Sequence, residues 1–77
     1  MNTNDIWIAL AANGRVRIST QTLRDVGGTS RLLVAGEEWM RSQLNAEAHL
    51  EGVSLRINSV MKGDFFQGLD VSLRKFT

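Results

Sequence analysis

Cysteine and proline are both absent from this 77-residue chain. Without cysteine there can be no disulfide and no thiolate metal site, so packing alone must hold the fold, and a reducing cytoplasm is the expected setting. Without proline, where average usage of roughly 5% would give about four, turns have to come from glycine and asparagine. No apolar run approaches the roughly 18 residues of a membrane span. Asp5 stands ahead of the apolar stretch Ile6 to Ala12 and the arginines follow it, which is not the basic-then-apolar order of a secretory leader. No membrane role is expected. A strong charge of one sign is also missing: the formal charge is +1, which argues against a uniformly electrostatic polyanion binder but leaves room for a local patch. Repeats, linkers and low-complexity segments are absent, and the length suits one domain spanning residues 1–77.

The chain does contain one long periodic stretch, Thr29 to Leu50. At about 3.6 residues per turn, Leu32, Ala35, Trp39 and Gln43 form a line with Leu33, Met40 and Leu44 beside it. Glu37, Glu38, Arg41, Ser42, Asn45 and Glu47 fall mostly outside that stripe. Thr29 or Ser30 can cap the helix after the Gly27–Gly28 break, and Asn45 or Gly52 can close it. Trp39 is expected as its largest core residue, worth about 3 to 5 kcal/mol if truncated, with Trp7 as its neighbour or as an interface anchor.

Residues 5 to 19 admit two readings. In one, Asn4 caps a helix from Asp5 to Ala12, Asn13 and Gly14 end it, and Arg15 to Ile18 form a short strand. In the other, Asn13-Gly14 is a two-residue hairpin turn between two strands. Residues 19 to 28 read as a two-turn helix capped by Ser19 or Thr20, with Leu23 and Val26 inward and the double glycine ending it. From Val53 the period becomes two. Val53, Leu55 and Ile57 alternate with Ser54, Arg56 and Asn58, and Leu69, Val71 and Leu73 alternate with Asp70, Ser72 and Arg74. A three-residue loop at Lys62, Gly63 and Asp64 would set Met61 opposite Phe65, Ile57 opposite Leu69 and Leu55 opposite Val71. That register pairs Arg56 with Asp70 and leaves Phe66 on the wet face near Val60.

The fold class is therefore α+β, a small single domain with a long central helix on a C-terminal antiparallel hairpin. With a helical amino end the order is helix, strand, helix, helix, strand, strand. With an extended one it is a ββααββ two-layer sandwich carrying a four-stranded sheet.

The helical order resembles the winged helix-turn-helix domains over nearly the whole chain. The resemblance implies that Thr20 to Val26 is the first helix of the pair and Gly27 its turn. Thr29, Ser30, Arg31 and Val34 would face the major groove of duplex DNA, Lys62 would belong to the wing, and Arg15 and Arg17 would be backbone contacts. The chain departs from the family at Leu23, where a small residue is usual, and at Gly28, where an apolar one is. Glu37 and Glu38 would also lie close to the phosphates. The implied function is a small cytoplasmic DNA-binding regulator, for which a homodimer is one expected form. The alternative is a protein-interaction module, a small subunit or inhibitor, using Phe65, Phe66 and the exposed side of the hairpin.

Catalysis is not expected, nor is a cofactor. His49 is the sole histidine; on a helix Glu47 and Glu51 face one way and His49 another, which does not make a metal site. Glu37 and Glu38 diverge as neighbours. Gly27-Gly28-Thr29-Ser30 lacks the lysine of a P-loop and reads as a turn and cap.

Overall fold

The computed structural model describes residues 2–28 and 32–74. Six elements follow one another: α1 (Thr3–Asn13), β1 (Arg15–Ser19), α2 (Thr20–Val26), α3 (Leu33–Glu51), β2 (Ser54–Lys62) and β3 (Phe65–Arg74). The amino end is helical, and the hairpin alternative at Asn13-Gly14 does not occur. Asn2, not Asn4, caps α1: its side chain accepts from the Asp5 backbone N–H at 3.1 Å while the Asp5 carboxylate accepts from the Asn2 N–H at 3.3 Å. This reciprocal box satisfies two donors that the first turn leaves open. Gly14 then takes φ 78° and sends the chain into β1. Its carbonyl accepts from Leu73 N–H at 3.0 Å, so the turn itself is tied to β3.

The sheet has three antiparallel strands in the order β1-β3-β2, not the four of the sandwich alternative, because residues 3–13 do not extend. β3 is central. Ile18, Leu69 and Val71 on the inner face are fully buried with Ile6 and Leu10 of α1, Leu23 of α2, and Met40 and Leu44 of α3. The inner-face pairs Val16–Val71, Ile18–Leu69, Leu55–Leu73 and Ile57–Val71 are apolar on both strands, as half-buried alternation requires, and Ser59 opposite Leu69 is the exception.

The hairpin register differs from the expected one by two residues. Leu55 lies opposite Leu73 and Ile57 opposite Val71, while Arg56 faces Ser72 and Asn58 faces Asp70. The reason is in the loop. Lys62 pairs with Phe65, so the turn has two residues, Gly63 and Asp64, with Gly63 at φ 61°. That alone displaces the pairing by one residue and would put the apolar set on the wrong face. A bulge supplies the second residue: Val60 pairs with Gly68 but Met61 with Phe66, leaving Gln67 over. Two displacements restore the faces. They also exchange the phenylalanines, so that Phe66 packs against the core and Phe65 is 75% exposed. At Gly68 a Cβ would overlap the Ile18 carbonyl, which fixes glycine beside the bulge.

The line of α3 that faces inward is Leu33, Gly36, Met40, Leu44 and Ala48, one residue round from the expected stripe. Trp39 is 43% exposed and Leu32 63%. Trp39 is therefore not the core residue the sequence suggests, and Leu32 lies off the buried line. Close packing decides the rotation: at Gly36 a Cβ would overlap the Leu23 carbonyl, so α2 crosses α3 where α3 has no side chain. The expected caps Thr29 and Ser30 lie outside the described residues, and α3 begins later, at Leu33, with Leu32 in the N-cap position. It ends late, at Gly52 with φ 71°.

Candidate nucleic-acid interface

Three of the seven residues named from the resemblance, Thr29, Ser30 and Arg31, lie outside the described residues. Val34 is in the first turn of α3 and 63% exposed. Below it on the solvent side run Glu38, Ser42, Asn45 and His49, all exposed. Glu37 is engaged by Arg41, whose Nε donates to it at 3.3 Å, whose Nη1 donates to the Ile57 carbonyl at 2.9 Å, and whose Nη2 donates to Ser59 Oγ at 3.1 Å. Arg41 thus fastens α3 to β2.

The other three, Arg15, Arg17 and Lys62, share the outer face of the sheet, the side away from α3. Because opposed residues of an antiparallel pair point the same way, the register gives the rows of this face directly. Arg15, Ser72 and Arg56 form one; Arg17, Asp70 and Asn58 the next; Ser19, Gly68 and Val60 the third. Arg74 and Ser54 extend it at one end, Lys62 and Phe65 at the other. Arg15 Nη2 lies 2.7 Å from Asp70 Oδ2. Asp70 therefore meets Arg15 and lies across from Arg17, and the expected pair with Arg56 does not form because the register has moved. Among the described residues, Arg17, Arg56 and Arg74 have no ion-pair partner. A hollow of about 320 Å³ is lined by Arg56, Ser72, Leu73 and Arg74. The resemblance does not reach Arg56 or Arg74. Their alternation with apolar neighbours already put them on the polar face; the missing information was that β1 joins the same sheet beside β3.

The nearly neutral total conceals a segregation of charge. The helices carry Asp5, Asp25, Glu37, Glu38, Glu47 and Glu51 against Arg24 and Arg41, whereas the strands carry Arg15, Arg17, Arg56, Lys62 and Arg74 against Asp70, with Asp64 at the turn. Among the described residues the carboxylates thus concentrate on the helices and most of the basic groups on the strands.

Glu47 has a structural task. Its Oε1 accepts from Trp7 Nε1 at 2.9 Å, and its Oε2 accepts from Thr3 Oγ1 at 3.0 Å and Gln43 Nε2 at 3.3 Å. Trp7 is accordingly joined to α3 through Glu47. Beside it opens an apolar groove of about 510 Å³ whose walls include Trp7, Ala11, Leu50, Val53 and Leu73. Among the described residues no three histidine or carboxylate side chains are placed to hold a metal. No described helix is long and apolar enough to cross a membrane. Compared with family models, with curated proteins and with solved structures, the chain matches none.

Proposed function

We propose that the chain is a small DNA-binding regulatory protein of the winged helix-turn-helix kind, reading duplex DNA with the solvent stripe of α3; the wing role of Lys62 at the hairpin tip is carried over from the resemblance alone. The observation that carries this reading is the α2–α3 pair: two helices in tandem around Gly27 and Gly28, packed backbone to side-chain-free backbone at Leu23 and Gly36, followed by a strand hairpin. That is the arrangement whose order resembles the family, in which the second helix enters the major groove. Val34, Ser42 and Asn45 are exposed on α3, and hydroxyl and amide side chains of this kind can bond to base edges. Thr29, Ser30 and Arg31 precede α3 in the chain and are carried over from the resemblance.

Selection from a pool of random duplexes tests this. Enrichment of one sequence, with discrimination reduced by Asn45→Ala and Ser42→Ala and the salt dependence of binding reduced by Arg31→Ala, is the expected result. No retention on duplex DNA even at low salt would overturn it.

A second reading, a protein-interaction module, is favoured by the hairpin tip. Met61 is 53% and Phe65 75% exposed, and large apolar side chains at an exposed turn suit a partner's pocket.

A further inference from the structure

The only cation of α3, Arg41, is taken up by Glu37 and β2, whereas the outer face of the sheet carries four arginines arranged as a surface. We infer that the outer face of the sheet is a phosphate-binding surface for duplex nucleic acid, sequence-independent and separate from the α3 stripe. It goes beyond the α3 reading and does not need it.

Arg15 and Arg56 flank β3 in one row, Arg17 lies one row on, and Arg74 sits on β3 diagonally from Arg56. With strands about 4.8 Å apart and same-face residues about 7 Å apart along each strand, the four guanidinium groups share a small patch. Guanidinium is the side-chain group best matched to phosphate, since its planar fork gives two parallel N–H donors. Three of the four have no carboxylate partner among the described residues, and all four are exposed. The residues between them, Ser54, Asn58 and Ser72, are small hydrogen-bonding groups of the kind that contact backbone oxygens. Charge complementarity therefore selects a polyanion.

Duplex is favoured over single strand by what stands between the arginines. Sheet surfaces that take single strands interleave aromatic rings with their cations, so that bases can stack. Among the described residues no ring lies between the arginines, and Phe65 is at the far end of the face beyond the Val60–Gly68 row. Because α3 packs on the inner face, a duplex on the outer face does not touch the α3 stripe, and a domain using both surfaces would join two DNA segments.

The test is fluorescence anisotropy of the full chain with a labelled short duplex of arbitrary sequence, titrated at several salt concentrations. Counting Arg17, Arg56 and Arg74 in full and Arg15 as neutralised by Asp70, log K should fall against log salt with a slope of about −2.7, so that a fourfold rise in salt costs about 40-fold in affinity. Arg17→Gln, Arg56→Gln and Arg74→Gln combined should remove most of that slope. Asp70→Asn, which takes away the one carboxylate that the described residues place among these arginines and releases Arg15, should steepen it by about 0.9 and tighten binding at low salt. This gain does not depend on a damaged fold. An unchanged slope in the triple variant, or weaker binding by Asp70→Asn, overturns the inference. So does tighter binding of a single strand that is lost with Phe65→Ala, or binding to anionic lipid vesicles without binding to duplex. Failure of the α3 reading looks different: Ser42→Ala and Asn45→Ala would leave sequence preference untouched while the arginine variants still changed the slope.

Discussion

At the scale of single residues, the smallest side chain on α3 matters more than the largest. Gly36 lets the Leu23 carbonyl approach the helix so closely that a methyl group would occupy the same space. Neither partner is the flexible end of a side chain, so the helices would have to separate. Gly36→Ala should therefore cost about 3 kcal/mol, the upper part of the overpacking range, out of a total of about 4 to 12 kcal/mol for a chain of this length. Urea denaturation would show it as a lowered midpoint. The tryptophan leads the other way. Because Trp39 is 43% exposed while Met40 is fully buried, Met40→Ala should lose about 2 to 5 kcal/mol, and Trp39→Ala about 1 to 2 kcal/mol, because part of the ring already meets water. Equal midpoint shifts in the two variants would contradict this ordering. Size and hydrophobicity point to Trp39 as a core residue when the sequence is read alone. What they do not encode is where another helix crosses, and that crossing chose the rotation of α3.

At the scale of elements, local chemistry was readable wherever the determinant lay within a few residues. The helix of residues 20–26, its Ser19 cap, the glycine ending α1 and the alternation of β2 and β3 all follow from neighbouring side chains. The hairpin register did not follow. A period of two fixes which face a residue occupies but is indifferent to a slip of two, and Gln67 as a surplus residue has no mark of its own beyond Gly68 beside it. The same limit applied at the amino end, where Ile6 to Ala12 is apolar on every side and only Asn2 and Asp5, reciprocally bonded, distinguish helix from strand. Between elements, Glu47 gathers three donors from α1 and α3. Hydrogen bonds to a charged group contribute about 1.5 to 3 kcal/mol each at most, and less here because the site is partly wet. Glu47→Ala should lower stability by about 1 to 2 kcal/mol and change the near-ultraviolet circular dichroism of Trp7, the ring it orients; an unaltered aromatic signal would mean that the contact does not hold the indole.

At the scale of the whole molecule, a total charge near zero was a poor guide to surface potential. Six of the eight carboxylates are on helices and four arginines are on one sheet face, a separation that appears only when β1 is placed beside β3. The candidate site was legible in part for the same reason. The resemblance points to Arg15, Arg17 and Lys62, whereas the three-residue loop that the sequence suggests sets Arg56 against Asp70, and nothing near Arg74 in the chain marks it as a neighbour of β1. Removing the arginine charges should leave the thermal midpoint nearly unchanged, since exposed cations contribute within about 0.5 kcal/mol, and a large drop would mean that the face is part of the fold's support. One clasp has a different importance. β2 is a border strand, nine residues long, and a border with open carbonyls is a template on which a stray chain can lay another strand. By holding the Ile57 carbonyl, Arg41 occupies one such place near the middle of that border. Arg41→Ala should consequently do more harm to solubility than to folding, with light scattering on warming rising before the helical signal falls.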